Sequence, residues 1–355
     1  MTPGPGASLL PQLQGRPMVT DGGLETDLIF HHGVELPDFA AFPLLDSDRG
    51  RALLTGYYDG YAAIARRAGA GLVLESPTWR ASPGWGARLG YSPAELARVN
   101  VGAIALLARL RDRYAASLAE IVLSGMVGPQ EDGYQPGRSP SPDEAAAYHR
   151  PQIEAFATAG ADMVSALTLT GTGEAIGIVQ AARAAGLPVT ISFTVETDGR
   201  LADGLSLAQA ISEVDGHAGP DYFMVNCAHP THIAPALAEP GPWRQRILGL
   251  RYNASAKSHA ELDQATGLDD GNPRLLAGQH AQLAQLLPPV AVLGGCCGTD
   301  TRHVAALWAA GHQPRPDTRE LGLIHNFIML DEVSPACAAA GDRLAADLRT
   351  HLHVR

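Results

Sequence analysis

No run in this 355-residue sequence approaches the ~20 apolar residues that a membrane-spanning helix needs. The opening residues Met1-Thr2-Pro3-Gly4-Pro5-Gly6-Ala7-Ser8 lack the basic and apolar regions of a secretory signal, so a cytoplasmic location is expected. Cysteine is scarce. Four cysteines in so long a chain cannot form a disulfide framework, and clustered thiols in a reducing compartment point to metal binding or catalysis. Basic residues are outnumbered, 26 Lys and Arg against 37 Asp and Glu, and the formal net charge is −11. With no dense basic patch and no nucleic-acid-binding motif, a polyanionic partner is disfavoured and a small-molecule substrate is the default. A Cys-x-x-Cys redox motif and a dinucleotide-binding fingerprint after the first apolar run are also absent.

What the chain does have is alternation. Short runs rich in Val, Ile and Leu, at 17–21, 71–75, 120–124, 162–168, 188–193, 221–227, 247–252 and 289–294, read as buried strands. Ala-rich stretches with helical spacing lie between them, at 51–68, 93–115, 142–159, 174–185, 207–214, 273–287 and 301–310. Glycines after Ala68 and Ala185 suit left-handed helix caps. About eight strand–helix units predict an α/β chain folded as a (β/α)8 TIM barrel, with an open doubly wound sheet as the alternative. The expected organisation is a flexible lead over 1–16, a barrel domain over 17–320 and a C-terminal helical extension over 321–355. That extension either covers the barrel or makes a homo-oligomer contact, and Cys337 within it reads as an ordinary helix residue. Two long loops, 33–48 and 128–142, have the length of binding loops or lids.

The other three cysteines sit at strand ends. Cys227 closes the run Tyr222-Phe223-Met224-Val225-Asn226, and Gly294-Gly295-Cys296-Cys297-Gly298-Thr299 closes Val290-Ala291-Val292-Leu293. Barrel strands of the same parity send side chains into shared layers, so strands six and eight would bring these thiols together at the C-terminal mouth. One reading is three small buried residues. The sharper one is a three-thiolate zinc site with one open position. Adjacent residues on a regular strand face opposite ways, so Gly294 and Gly295 are expected to let the backbone leave strand geometry. Three thiolates around a zinc ion leave a net negative site that suits an incoming thiol and its attack on an activated methyl carbon. A cationic donor of that methyl would be held by aromatic faces, for which Trp79 and Trp85 are the candidates.

These residues resemble a known family. Val225-Asn226-Cys227 and Gly294-Gly295-Cys296-Cys297-Gly298 look like the two zinc-ligand motifs of the homocysteine S-methyltransferases, which include betaine–homocysteine and S-methylmethionine-dependent enzymes. Asp21-Gly22-Gly23, Ser124-Gly125-Met126-Val127-Gly128-Pro129 and Ile191-Ser192-Phe193-Thr194 resemble further family segments, in the family's order. The resemblance implies a zinc-dependent barrel that moves a methyl group from a small onium donor to a thiol. It makes Cys227, Cys296 and Cys297 the Zn2+ ligands, Asp21 a substrate-positioning carboxylate and Asn226 a supporting residue. Thr78, Trp79, Arg80 and Thr168 fall in its substrate segments.

Two departures stand out. Leu167-Thr168 replaces the family's usual Glu-Thr pair at the end of strand four, and a leucine cannot balance an ammonium charge. Arg80 stands where an aromatic is common, free to engage a substrate carboxylate or solvent. An acceptor other than homocysteine, or a non-catalytic zinc-binding barrel, is therefore the alternative. Glu75 is a possible replacement carboxylate, Glu25 lies close after Asp21, and Asn253 and Ser255 sit where barrels bind polar groups of ligands. His229 and His232 are either support for the site, a fourth ligand, or helix-start residues.

Overall fold

In the computed structural model, which describes residues 10–134, 137 and 139–310, the predicted apolar runs become eight strands. They are β1 (Met18–Val19), β2 (Gly71–Glu75), β3 (Ile121–Val127), β4 (Met163–Leu169), β5 (Val189–Phe193), β6 (Tyr222–Ala228), β7 (Ile247–Tyr252) and β8 (Val292–Gly295). Each pairs in parallel with the next and β8 pairs back onto β1, so the sheet closes as a TIM barrel. The helices are α1 (Leu24–Phe30), α2 (Asp48–Ala68), α3 (Pro83–Arg88), α4 (Pro93–Tyr114), α5 (Pro142–Ala159), α6 (Thr172–Ala184), α7 (Leu207–Ala218), α8 (Pro230–Ala236), α9 (His259–Asp263), α10 (Pro273–Leu283) and α11 (Thr301–Ala309). No described helix is long and apolar enough to cross a membrane.

Local chemistry explains the boundaries. Ser92, Ser141, Ser206 and Ser258 each open a helix with a reciprocal capping box. Gly69 and Gly160 close α2 and α5 at φ +63° and +80°. The short helices α1, α3, α8 and α9, of seven residues or fewer, offer too little periodicity to be read from sequence. Loop 33–48 is not featureless either, since it holds 3-10 turns at Pro37–Phe39 and Phe42–Asp46.

The flexible lead expected over 1–16 gives way to order before the barrel begins. A 3-10 turn at Pro11–Gln14 buries Leu10 and Gln12, and the Gln12 amide donates to the Tyr222 hydroxyl at 3.2 Å. The turn closes the base of the barrel. There Leu10 joins Met18, Val73, Val122, Met163, Tyr222, Met224 and Val292 in one apolar cluster. The alternate residues Val19, Leu72, Leu74, Leu123 and Val164 point outward into a separate core under the helices. Residues 1–9 and the extension expected over 321–355, with Cys337, lie outside the described residues.

Above the apolar base the interior turns polar. Ser124 and Ser165 hydroxyls bond at 2.7 Å, Ser192 donates to Asn226 at 2.7 Å, and Arg251 faces Glu75 at 3.7 Å. Apolar side chains thus fill the bottom of the barrel, while polar ones floor its upper mouth.

Two glycines separate close approach from spare backbone. A Cβ on Gly294 would meet Thr20 Cγ2 at 2.5 Å and the Asp21 carbonyl oxygen at 2.7 Å, whereas one on Gly56 in α2 meets nothing within 4 Å. Gly294→Ala is expected to cost about 1–3 kcal/mol in urea unfolding. Gly56→Ala should gain ~0.5–1 kcal/mol.

Candidate active site

Cys227 is the last residue but one of β6, and Cys296 and Cys297 follow β8 directly. Their sulfurs converge: Cys227 Sγ lies 3.1 Å from Cys296 Sγ and 3.5 Å from Cys297 Sγ, and all three lie within 4.8 Å of one another. Two backbone departures achieve this. The first is at β6, where register shifts between Asn226 and Ala228 and Cys227 adopts a left-handed φ of +57°. This bulge turns the thiol out of strand alternation. The second follows β8. Gly294 and Gly295 remain in the strand, contrary to the expectation that they release it, and neighbouring atoms leave no room for a Cβ at either. The chain departs instead at Cys296–Thr299, a turn closed by the Thr299 N–H donating to the Cys296 carbonyl at 3.0 Å. Gly298, at φ +77°, takes the position in that turn that a side chain would strain.

Asn226 ties the first departure down. Its Oδ1 accepts the Thr168 N–H at 2.8 Å, and its Nδ2 donates to Thr168 Oγ1 at 2.8 Å and toward Cys296 Sγ at 3.6 Å. Thr168 is itself left-handed, φ +65°, at a matching register shift in β4. The Cys227 sulfur receives the Tyr134 hydroxyl at 3.2 Å, and the Cys227 carbonyl accepts from Asn253 Nδ2 at 2.9 Å and lies 2.8 Å from His259 Nε2. Hydrogen bonds from the other two thiols, with Arg251 and Asn226, hold Cys296 well below the ordinary thiol range. Bonding to Cys296 raises Cys227, and bonding to Cys227 and then Cys296 raises Cys297.

Beneath the sulfurs lies a buried charge layer. Arg251, near the end of β7, pairs with Asp21 at 2.5 Å, and the Tyr57 hydroxyl donates to the other Asp21 oxygen at 3.3 Å. Burial raises the Asp21 carboxyl above its ordinary value, and Arg251 is the main force opposing that rise. Above lies a cavity of about 490 Å³. Asp21, Glu25, Trp79, Arg80, Thr168, Asn226, Arg251 and the three cysteines are among its lining residues. Glu25 is half-buried, and burial first, then the charges of Asp21 and Cys296, push its carboxyl up to about 7.

Other expected site residues lie elsewhere. Thr78 is fully buried and donates to the Met126 carbonyl at 2.7 Å, and it does not line the cavity. Neither Glu75 nor Asn253 lines it: Glu75 sits in the charge layer and Asn253 behind Cys227. Ser255 does line it, with its hydroxyl on Asp269 at 2.8 Å. The aromatic cage expected from Trp79 and Trp85 holds the chain's own cation. The Arg80 guanidinium lies 3.7 Å from the Trp85 ring centroid and 5.0 Å from that of Trp79, and pairs with Asp132 at 2.6 Å. Arg80 therefore lines the cavity with its charge already paired to Asp132. His229 caps α8, as a helix-start residue does, and burial followed by His232 lowers its ring to about 4. His232 bonds the Ala256 carbonyl at 3.0 Å.

Sequence reasoning missed Tyr134, Arg251 and His259. Tyr134 sits in a Pro- and Gly-rich loop with no periodic signal and stacks on His259 at 4.4 Å. An arginine ending the apolar run of β7 was the one visible hint of the charge layer.

The family model described as homocysteine S-methyltransferase matches residues 18–310. The chain is 26% identical to the homocysteine S-methyltransferase of Escherichia coli (strain K12) over 259 residues, which are 68% of this chain and 80% of that protein. It is 25% identical to the homocysteine S-methyltransferase YbgG of Bacillus subtilis (strain 168) over 311 residues, 82% of this chain and 94% of that one. Among solved structures, the metallated form of the homocysteine methyltransferase MmuM from Escherichia coli superposes with a TM-score of 0.66. That match has 21% identity and covers 83% of this chain and 96% of that one, which establishes the fold.

Because folding raises the Glu25 carboxyl from 4.5 to about 7, its protonated form favours the folded state. That contribution is complete below about pH 4.5 and is lost as pH rises through about 7. Glu25→Gln stays neutral throughout, so its urea midpoint should exceed that of the native chain near pH 8 by more than it does near pH 5. An equal difference at both pH values would show that the carboxyl titrates normally.

Proposed function

The chain belongs to the homocysteine S-methyltransferase family, and from that premise we propose a zinc-dependent enzyme using Cys227, Cys296 and Cys297 as metal ligands and a small onium compound as methyl donor. The methyltransferase activity is the family's, and homocysteine is the acceptor the family implies. What carries the metal reading is the convergence of three sulfurs at the floor of one cavity. Their separations of 3.1 and 3.5 Å compare with the ~3.8 Å that three thiolates adopt around one tetrahedral ion at ~2.3 Å. Zinc, when bound, supplies an open coordination position where a substrate thiol loses its proton and stays nucleophilic.

The chain's own residues do the rest. The Asn226 amide and the Tyr134 hydroxyl reach Cys296 and Cys227, which favours their thiolate forms. Asp21, fixed by Arg251, is the positioning carboxylate at the floor, and Thr168 and Trp79 contribute to the substrate wall. We take residues 17–320 as the catalytic domain, which the family match supports. Free thiols of this kind fit a reducing, cytoplasmic setting.

A non-catalytic zinc site would close its shell with a fourth protein ligand. Among the described residues no His, Asp or Glu joins the three sulfurs, which favours an open site.

Metal analysis of the purified chain is expected to find about one zinc per chain, and Cys296→Ala should lose most of it. Undiminished zinc in that variant would remove the ligand assignment. Methyl transfer from a panel of onium donors to homocysteine, read by mass spectrometry, tests the reaction, and no transfer from any of them would overturn the donor class.

A further inference from the structure

The carboxylates that line the cavity are Asp21, Glu25, Asp38, Asp132, Asp263 and Asp269. Almost all are already engaged. Asp21 is paired with Arg251 at 2.5 Å, Asp38 with Arg88 at 2.8 Å and Asp132 with Arg80 at 2.6 Å. Asp269 accepts from Ser255 at 2.8 Å and meets Lys257 at 3.4 Å, and Asp263 is not free. Glu25 is different. Its carboxylate meets its own backbone amide and has no ion pair or side-chain hydrogen bond among the described residues. Both arginines of the cavity wall are paired elsewhere, Arg251 with Asp21 and Arg80 with Asp132, and Arg80 acts on Glu25 only through space, without an ion pair among the described residues. A half-buried carboxylate without a counter-charge is costly, and a ligand that brings a cation offsets that cost.

Its mounting ties it to the sulfurs. Glu25 lies in the first turn of α1, and Gly23 before it and Thr26 after it are bonded to the cysteine turn. The Gly23 N–H donates to the Thr299 carbonyl at 3.0 Å, and Thr26 Oγ1 accepts the Gly298 N–H at 3.0 Å. A Cβ on Gly23 would lie 2.6 Å from the Cys296 carbonyl oxygen. The carboxylate therefore moves with the Cys296–Thr299 turn, not with an independent loop.

An amino-acid thiol whose sulfur sits at the cysteines carries its ammonium group only a few bonds away. We infer that Glu25 receives the ammonium group of the thiol acceptor, and so makes the enzyme select amino-acid thiols over plain thiols. This rests on the thiol-acceptor reading above. The raised carboxyl is consistent with it, since a bound ammonium would restore the charged form. It also answers the difficulty that Leu167, an apolar part of the same wall, poses for homocysteine as acceptor.

The test compares homocysteine with γ-mercaptobutyrate, the same thiol without its amino group, by calorimetric binding to the zinc-loaded full chain. The native protein is expected to bind homocysteine about tenfold to hundredfold tighter, as a charge-assisted hydrogen bond implies. Glu25→Gln should erase that preference by weakening homocysteine alone, and Glu25→Asp should restore part of it. The inference is overturned if the native chain binds the two thiols equally, if Glu25→Gln keeps the preference, or if it weakens both thiols alike. A native chain that binds zinc but neither thiol would refute the acceptor reading itself. A kept preference in Glu25→Gln would remove only the role of Glu25.

Discussion

Three sulfurs from two strands can share one point only if the backbone at the end of β6 abandons strand alternation and is held there. Cys227 does so in a left-handed conformation that costs a non-glycine residue ~1–3 kcal/mol. The Asn226 carboxamide offsets that cost. It accepts from Ser192 of β5 and the Thr168 amide of β4, donates back to Thr168, and reaches toward Cys296. One buried amide therefore couples three adjacent strands to the turn after β8. The thiol geometry, the strained Thr168 and the floor of the cavity all depend on it.

The charge layer beneath makes a different contribution. Buried ion pairs are poor sources of stability, because desolvation consumes the Coulombic gain. The triad of Asp21, Arg251 and Glu75 is better understood as fixing charge where chemistry needs it. Arg251 places a permanent positive charge below the thiols and contributes to the lowering of Cys296. Elsewhere in the cavity wall, Arg80 clasps both long loops, donating to the Asp38 carbonyl at 2.9 Å and pairing with Asp132. Asp132 Oδ1 in turn accepts the Tyr134 N–H at 2.8 Å, which links this clasp to the residue that touches Cys227.

The eight strands were legible because apolar runs of four to seven residues are bounded by glycine, proline and serine caps, all local signals. The cysteines were legible because same-parity strands share a layer, and the family match agrees with the resemblance their motifs carry. Thr78 was misread, and the pairing of Arg80 was missed, for a common reason. Both lie in a segment whose pattern is that of a binding loop, yet Thr78 points at the Met126 carbonyl and Arg80 into a tryptophan pair. Side-chain direction after a strand depends on which neighbours have space, and residues distant in sequence decide that.

By itself the sequence determined the barrel, its strand order and the placing of Cys227, Cys296 and Cys297 at strand ends on one mouth, because periodicity, capping and strand parity follow from local backbone chemistry. Only the tertiary structure decided which polar groups are free. Asp21 and Arg80 looked available in the chain and are paired across 230 and 52 residues, while Glu25 has no ion pair among the described residues. A charge is available to a ligand only when no other part of the protein has already neutralised it. That balance is settled by long-range packing, which periodicity and capping do not encode.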